Sequence, residues 1–198
     1  MRVDLDTAAD PHACIIESTG RGWLFLLPLN HQSASLIAVS TGTGVDAQLE
    51  QSRLIVRSIY IASLDASRAI FPSAPRLHNP LCGNTHLLCG SAATAFDPVC
   101  GEGVGHAIRE AFLASAVVHA MHDGEPTSGL FTHYAARLRL GFLRHLELCR
   151  SFYSSGGTTE FWRSELELLE HGIAAMRSQC RAAGEPSYRL NGTRLIRI

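Results

Sequence analysis

The segment that most constrains this chain runs from Gly90 to Gly105 and reads Gly-Ser-Ala-Ala-Thr-Ala-Phe-Asp-Pro-Val-Cys-Gly-Glu-Gly-Val-Gly. It sits between an apolar, strand-like run, Thr85 to Cys89, and a stretch whose apolar residues recur at helical spacing. Val104, Ile108, Ala111, Phe112, Ser115, Val118 and Met121 fall near i, i+4, i+7, which predicts an amphipathic helix over Val104 to Met121. Gly101, Gly103 and Gly105 alternate immediately before and within its first turn. Glycine lacks a Cβ and lets a ligand approach the backbone closely. The first N–H groups of a helix have no internal partner and carry the positive end of its dipole, so such a start favours an anionic or electron-rich group. An ordinary strand-to-helix connection rich in small residues has the same outline, and glycines alone do not separate the two.

The whole string separates them better. From Leu87 to Ser115 the sequence LLCGSAATAFDPVCGEGVGHAIREAFLAS resembles the second FAD-binding motif of the aromatic hydroxylase, geranylgeranyl reductase and tryptophan halogenase superfamily. That motif commonly reads Gly-Asp-Ala-Ala, four residues, Pro, two residues, Gly-x-Gly, and Gly90, Ala92, Ala93, Pro98, Gly101 and Gly103 match it in register. In that superfamily the acidic residue holds the ribityl chain, the proline lies beside the isoalloxazine, and the helix start faces the flavin N1 and pyrimidine carbonyl. Carried over position by position, the resemblance implies FAD contacts at Gly90, Ser91, Ala92, Pro98, Gly101, Gly103, Val104 and Gly105. A helix N-terminus aimed at N1 stabilises the negative charge of reduced flavin.

Two positions depart from the pattern. Ser91 stands where the superfamily usually has Asp, so it makes one hydrogen bond but does not chelate a diol. Gly105 stands where many hydroxylases carry Asn, which removes a side-chain contact to the ring. A larger departure precedes residue 90: the Gly-x-Gly-x-x-Gly turn of a Rossmann half, with its acidic residue about twenty positions on, is not found. Gly20-Arg21-Gly22 and Gly42-Thr43-Gly44 read as turn glycines. The expectation is that the N-terminal Rossmann half is absent, so that the chain is the C-terminal part of a larger flavoprotein, a fragment, or one subunit of a two-piece enzyme.

Composition fits a soluble, cored chain: 198 residues, 46% hydrophobic and 18% charged. A net charge of -1 argues against nucleic acid or an acidic membrane surface as a required partner. No apolar run reaches the roughly 18 residues of a spanning helix and the N-terminus is not a signal peptide, so a cytoplasmic location is expected. All 17 basic Lys/Arg positions are arginine. Halogenases of the resembled superfamily use a lysine near the flavin, and they usually read Pro-Leu-Glu-Ser-Thr where this chain has Pro98-Val99-Cys100-Gly101-Glu102. The resemblance is therefore read as monooxygenase-like or reductase-like, and a halogenase would need its lysine from outside these residues.

Cys14, Cys82, Cys89, Cys100, Cys149 and Cys180 form no Cys-x-x-Cys pair and no zinc spacing, and read as free thiols. Cys100 stands apart because a nearby helix start lowers a thiol pKa. His119, His122 and His133 lie within reach along the chain, but no carboxylate or cysteine joins them at ligand spacing, so no metal is expected. Glu102 and His106 adjoin the motif, yet proximity alone assigns no catalytic residue.

Three parts are expected: residues 1–84, a substrate-domain-like β sheet with a short helix; 85–125, the FAD-motif strand, glycine loop and helix; and 126–198, C-terminal helices and tail. Cys14 to Glu17, Gly22 to Leu29 and Ala34 to Ser40 read as an antiparallel meander, with Trp23 and Phe25 on one face. The resemblance implies that this sheet walls the substrate pocket. Asp46 to Ser58 reads as a short helix, and Ser67 to Pro80 as an extended strand carrying Arg76 and Arg68, the latter assigned toward the pocket. Thr127 or Ser128 caps a helix to about Tyr153, with Leu130, Tyr134, Leu138, Phe142, Leu146 and Cys149 on one face. Gly156-Gly157 breaks it, and Thr158 or Thr159 caps another helix to about Ala183. Tyr134–Tyr153 and Tyr188–Ile198 resemble the tail of halogenase-like flavoproteins. The reading is an α/β or α+β chain that is the C-terminal portion of an FAD-dependent, monooxygenase-like oxidoreductase acting on a small-molecule or protein-bound substrate. The alternative is a catalytically incompetent remnant or partner subunit that keeps the fold without binding FAD.

Overall fold

A computed structural model describes residues 1–42, 44–60, 69–183 and 187–198. Two compact units result: Met1–Pro72 with Phe152–Leu168, and Ser73–Ser151 with Leu169–Ile198. Mixed helices and antiparallel strands make the fold α+β in character.

The first unit is built on a four-stranded antiparallel sheet of β1 (Arg2–Asp4), β2 (Ile15–Thr19), β3 (Gly22–Pro28) and β4 (Ser33–Ser40), in the order β1-β4-β3-β2. The predicted meander is β2-β3-β4, and the short edge strand β1 joins it through Val3 opposite Ala34. Side chains alternate across β3 because strand residues point to opposite faces in turn. Leu24 and Leu26 face a core with Val3, Leu36, Leu49 and Ile55. On the other face Trp23 is buried and Phe25 half-buried. The Trp23 indole N–H donates to the Tyr153 hydroxyl at 3.3 Å, and the Trp162 indole N–H donates to the Thr19 carbonyl at 2.8 Å. Trp162 meets Tyr153 and Phe161 edge to face, with its ring centre 5.1 Å from that of Phe161. A side chain at Gly156 would overlap the Trp162 ring, which is why the break before this aromatic group needs glycine.

The helix predicted over Asp46 to Ser58 is shorter. It closes as α1 (Val45–Leu49), followed by a 3-10 turn at Ile55–Arg57. The reason is the buried carboxylate of Glu17 on β2, which accepts hydrogen bonds from the backbone N–H groups of Arg53, Leu54 and Ile55 and from the Ser52 hydroxyl. Amides committed to a carboxylate are not free to continue a helical ladder. Burial pushes this carboxyl up, but the bonds from Ile55, Ser52, Arg53 and Leu54 outweigh it and hold it below the usual range.

The second unit begins with two-residue ladders: β5 (Arg76–Leu77) pairs with β8 (Thr94–Ala95), and β6 (Cys82–Gly83) with β7 (His86–Leu87). Among the described residues of the strand predicted from Ser67 to Pro80, only Arg76–Leu77 is a strand; Pro72, Pro75 and Pro80 lack the N–H a ladder needs. Arg68, assigned to that strand, lies outside the described residues. The expected motif strand Thr85 to Cys89 is likewise reduced to His86–Leu87, and the Leu88 N–H donates to the Leu81 carbonyl at 3.0 Å in the same register as the β6–β7 pairing.

Helices α2 (Gly103–His122), α3 (Thr127–Ser154) and α4 (Glu160–Ala182) follow, with α3 and α4 contributing residues to both units. On α3 every residue of the predicted face, from Leu130 to Cys149, is buried. The outcome on α2 is the reverse. Its ends fall where expected, but Val104 is 75%, Ile108 53%, Phe112 53% and Val118 56% exposed. Leu113, Ala116, Val117 and Ala120 face inward instead, where they meet Leu130, Tyr134 and Leu138 or lie fully buried. The chain closes in a hairpin, β9 (Tyr188–Asn191) and β10 (Arg194–Arg197), turning at Gly192 with a φ of 59°. Among the described residues no helix is long and apolar enough to cross a membrane.

Candidate functional site

The glycine loop is a pair of short turns followed by an open helix end. Gly90–Ala92 makes a 3-10 turn, β8 follows, and Pro98–Cys100 makes a second 3-10 turn capped by Asp97, whose carboxylate accepts the Val99 N–H at 2.9 Å. Gly101, at φ 63°, reverses the chain in the left-handed region, and α2 begins two residues on. No side chain caps this start. A side chain at Gly101 or Gly103 would meet nothing within 4 Å, and one at Gly105 would meet only the Arg109 guanidinium at 3.9 Å. Of the eight residues assigned to FAD contact, Ser91, Ala92, Pro98, Gly101, Gly103, Val104 and Gly105 are exposed and Gly90 is half-buried. Gly90 is drawn to α2, where an added Cβ would lie 3.5 Å from that of Ala107.

Glu110, one of the inward residues of α2, holds this arrangement together. One oxygen accepts the Gly90 N–H and the other the Thr94 hydroxyl, each at 2.7 Å. Burial raises its pKa, against the pull of the Thr94 and Gly90 hydrogen bonds. Sequence reasoning missed it; the available signal was a carboxylate among Leu113, Ala116 and Val117, on the face that proved to be inside.

Behind the loop, Phe96 packs between His106 and His145, with ring centres 4.1 and 4.5 Å away. His106 Nε2 lies 3.3 Å from a Glu102 carboxylate oxygen, so the two flagged neighbours of the motif pair with each other. Cys100 meets Cys149 with sulfurs 3.5 Å apart, and Cys149 Sγ lies 3.3 Å from His145 Nε2. The Cys149 hydrogen bond lowers the Cys100 thiol to about 6, with His145 assisting against burial. The same bond and burial push Cys149 up. An open cavity of about 800 Å³ borders Glu102 and His106 and continues past Arg109, Arg137, Arg144 and Leu190. Its size is that of a small-molecule pocket, and its lining carries three guanidinium groups beside the carboxyl groups of Glu102 and Glu110.

No family model matches the chain. A 74-residue stretch is 31% identical to the 1H-pyrrole-2-carbonyl-[peptidyl-carrier protein] chlorinase of Pseudomonas fluorescens, covering 37% of this chain and 16% of that protein. The fold resembles that of the myxobacterial chondrochloren halogenase, an FAD-dependent halogenase, with a TM-score of 0.63 and 20% identity over 98% of this chain. The chain spans about half of that halogenase, 52% of its length. The likeness to the FAD-dependent halogenase is one of fold, and both of these proteins are named as halogenating enzymes, the branch that the missing lysine had ranked lower.

Proposed function

We propose that this chain forms the isoalloxazine and ribityl end of a two-part FAD site in a flavin-dependent oxidoreductase, with the ADP end held by polypeptide outside these residues. One observation carries the reading: an uncapped helix start, preceded by a left-handed glycine, presents its backbone donors to open space in a chain of halogenase-like fold. The donors fit the electron-rich edge of a flavin ring, and exposed Ser91 supplies a single hydroxyl toward the ribityl chain. When bound, FAD supplies the redox chemistry. The chain's own residues do the rest: Gly103, Val104 and Gly105 offer N–H groups, Pro98 flanks the ring, and Glu110 fixes the Gly90 turn against α2. The cavity beside Glu102 and His106 accommodates part of a small or carrier-bound substrate.

The match to a chlorinase and a halogenase favours halogenation as the reaction over plain oxygenation. A catalytic lysine then comes from the polypeptide that carries the ADP half, because this chain contains none.

Gly103→Asp tests the site apart from the fold. A carboxylate in the first turn is compatible with the helix dipole and there is room for it, so thermal stability should hold or rise slightly. Flavin affinity of the completed protein, read by quenching of flavin fluorescence, should fall by about tenfold or more from charge repulsion at the reduced or electron-rich ring edge. Unchanged affinity would refute the placement of the flavin at α2.

A further inference from the structure

We propose that Cys100, His145 and Cys149 form a binding site for a thiophilic divalent cation of the zinc class, which pins the loop ahead of α2 to α3. The inference does not depend on flavin binding. The ligand atoms of all three residues lie within 4.8 Å of one another. Tetrahedral zinc, with bonds of about 2.3 Å to sulfur and 2.0 Å to nitrogen, sets sulfur–sulfur edges near 3.8 Å and sulfur–nitrogen edges near 3.5 Å. The structure has 3.5 Å between the sulfurs and 3.3 Å from Cys149 Sγ to His145 Nε2, so small movements admit the ion. His145 and Cys149 are one turn apart on the same side of α3, and Cys100 arrives from the 3-10 turn that precedes Gly101.

The surroundings suit a cation held mainly by protein. Cys149 and His145 are buried and Cys100 is half-buried, and three protein ligands leave a fourth position of a tetrahedral ion to be filled by water. His145 is incompletely satisfied by the chain: Nε2 accepts the Asp97 N–H at 2.8 Å, and Nδ1 has no hydrogen-bond partner among the described residues. Coordination through Nε2 replaces the bond from Asp97, so the site is an open and exchangeable one rather than a closed four-ligand centre. Two thiolates with one imidazole select zinc-like ions over magnesium or calcium. On binding, each thiol still protonated gives its proton to solvent, two metal–sulfur bonds and one metal–nitrogen bond form, and no electrons are transferred.

The test uses the full chain, reduced and stripped with a chelator, titrated with Co2+ and then Zn2+. The expected result is one Co2+ per chain with near-ultraviolet thiolate-to-cobalt absorption that Zn2+ abolishes. Cys100→Ser and Cys149→Ser should each remove most of that absorption, and His145→Asn should weaken cobalt binding by about tenfold or more. Cys14→Ser and Cys180→Ser should leave the titration unchanged. Because a change at buried Cys149 can disturb folding, alkylation of the native wild-type chain provides a second reading: Zn2+ should protect Cys100 and leave Cys14 reactive. Absence of the cobalt–thiolate band in the wild type, its persistence in both Cys100→Ser and Cys149→Ser, or alkylation of Cys100 at the same rate with and without Zn2+ would overturn the proposal.

Discussion

The two units answer their strongest local charges in opposite ways. In the sheet unit, the buried carboxylate of Glu17 takes donors from Ser52, Arg53, Leu54 and Ile55, so its demand is met inside the chain. In the loop–helix unit, the positive end of α2 has no side-chain cap and its glycines stand in open space. The carboxylates differ in the same sense. Hydrogen bonds hold Glu17 below its ordinary pKa despite burial, whereas burial lifts Glu110 despite its two bonds. The 52–55 turn closes on a carboxylate of its own unit, whereas the start of α2 has no such side-chain partner. Under the proposed function, that unsatisfied polarity, rather than glycine content, is what sets the loop–helix unit apart.

Substitutions should separate the two regions, beginning with the largest effect. Glu17→Ala leaves the Ile55 N–H buried without its acceptor and frees the 52–55 turn; a loss of roughly 3 kcal/mol is expected by urea unfolding. A loss below about 1 kcal/mol would break the contrast, since the turn would then not depend on the carboxylate. Gly156→Ala forces a methyl group against Trp162 and should cost about 2 kcal/mol by the same measurement.

The pH response sharpens the contrast further. The depressed pKa of Glu17 gives stability that is present above its unfolded value of 4.5 and lost as pH falls through the lower folded value. The raised pKa of Glu110 works oppositely: its contribution is complete below its unfolded value of 4.5 and is lost as pH rises through the higher folded one. Melting temperatures across pH should therefore show Glu17→Gln flattening the acid side. Glu110→Gln should flatten the loss above that range and leave the chain no less stable at neutral pH, because the amide oxygen still accepts one bond. Glu110→Ala, which strands the Gly90 N–H and Thr94 hydroxyl, should cost about 1–3 kcal/mol.

The smallest effect is expected on the outer face of α2. Phe112→Ser should change the stability of the chain alone by no more than about 0.5 kcal/mol, as at other exposed positions. Leu113→Ala, one residue on and buried, should cost about 2 kcal/mol or more. Equal costs at the two positions would mean that the face assignment is wrong.

Legibility in the sequence differed between helices of one unit. The inward stripe of α3 was readable because Leu130, Tyr134, Leu138, Phe142 and Leu146 are all large and apolar and no competing stripe exists. On α2 the large residues Val104, Ile108 and Phe112 defined the stronger period, but small Ala116 and Ala120 are the ones that the chain itself covers, and periodicity does not say which face is covered from within. Helix α1 was overestimated because its end is set by Glu17, a residue on a distant strand. The Asn191–Gly192 dipeptide is a hairpin signal that a helix-weighted reading of the tail passed over. At the candidate site the glycine loop was legible as a local string. Glu110 lay on the misread face of α2, and the meeting of Cys100 with Cys149 spans 49 positions, a contact that no local pattern encodes.

The most direct test of the central claim is a flavin titration of the purified chain, alone and then mixed with a polypeptide carrying the ADP-binding Gly-x-Gly-x-x-Gly half, read by the visible flavin spectrum. The expected result is weak, substoichiometric FAD binding by the chain alone and stoichiometric binding in the mixture, lost with Gly103→Asp. Tight stoichiometric binding by the chain alone, or a mixture that binds FAD equally well with Gly103→Asp, would contradict it.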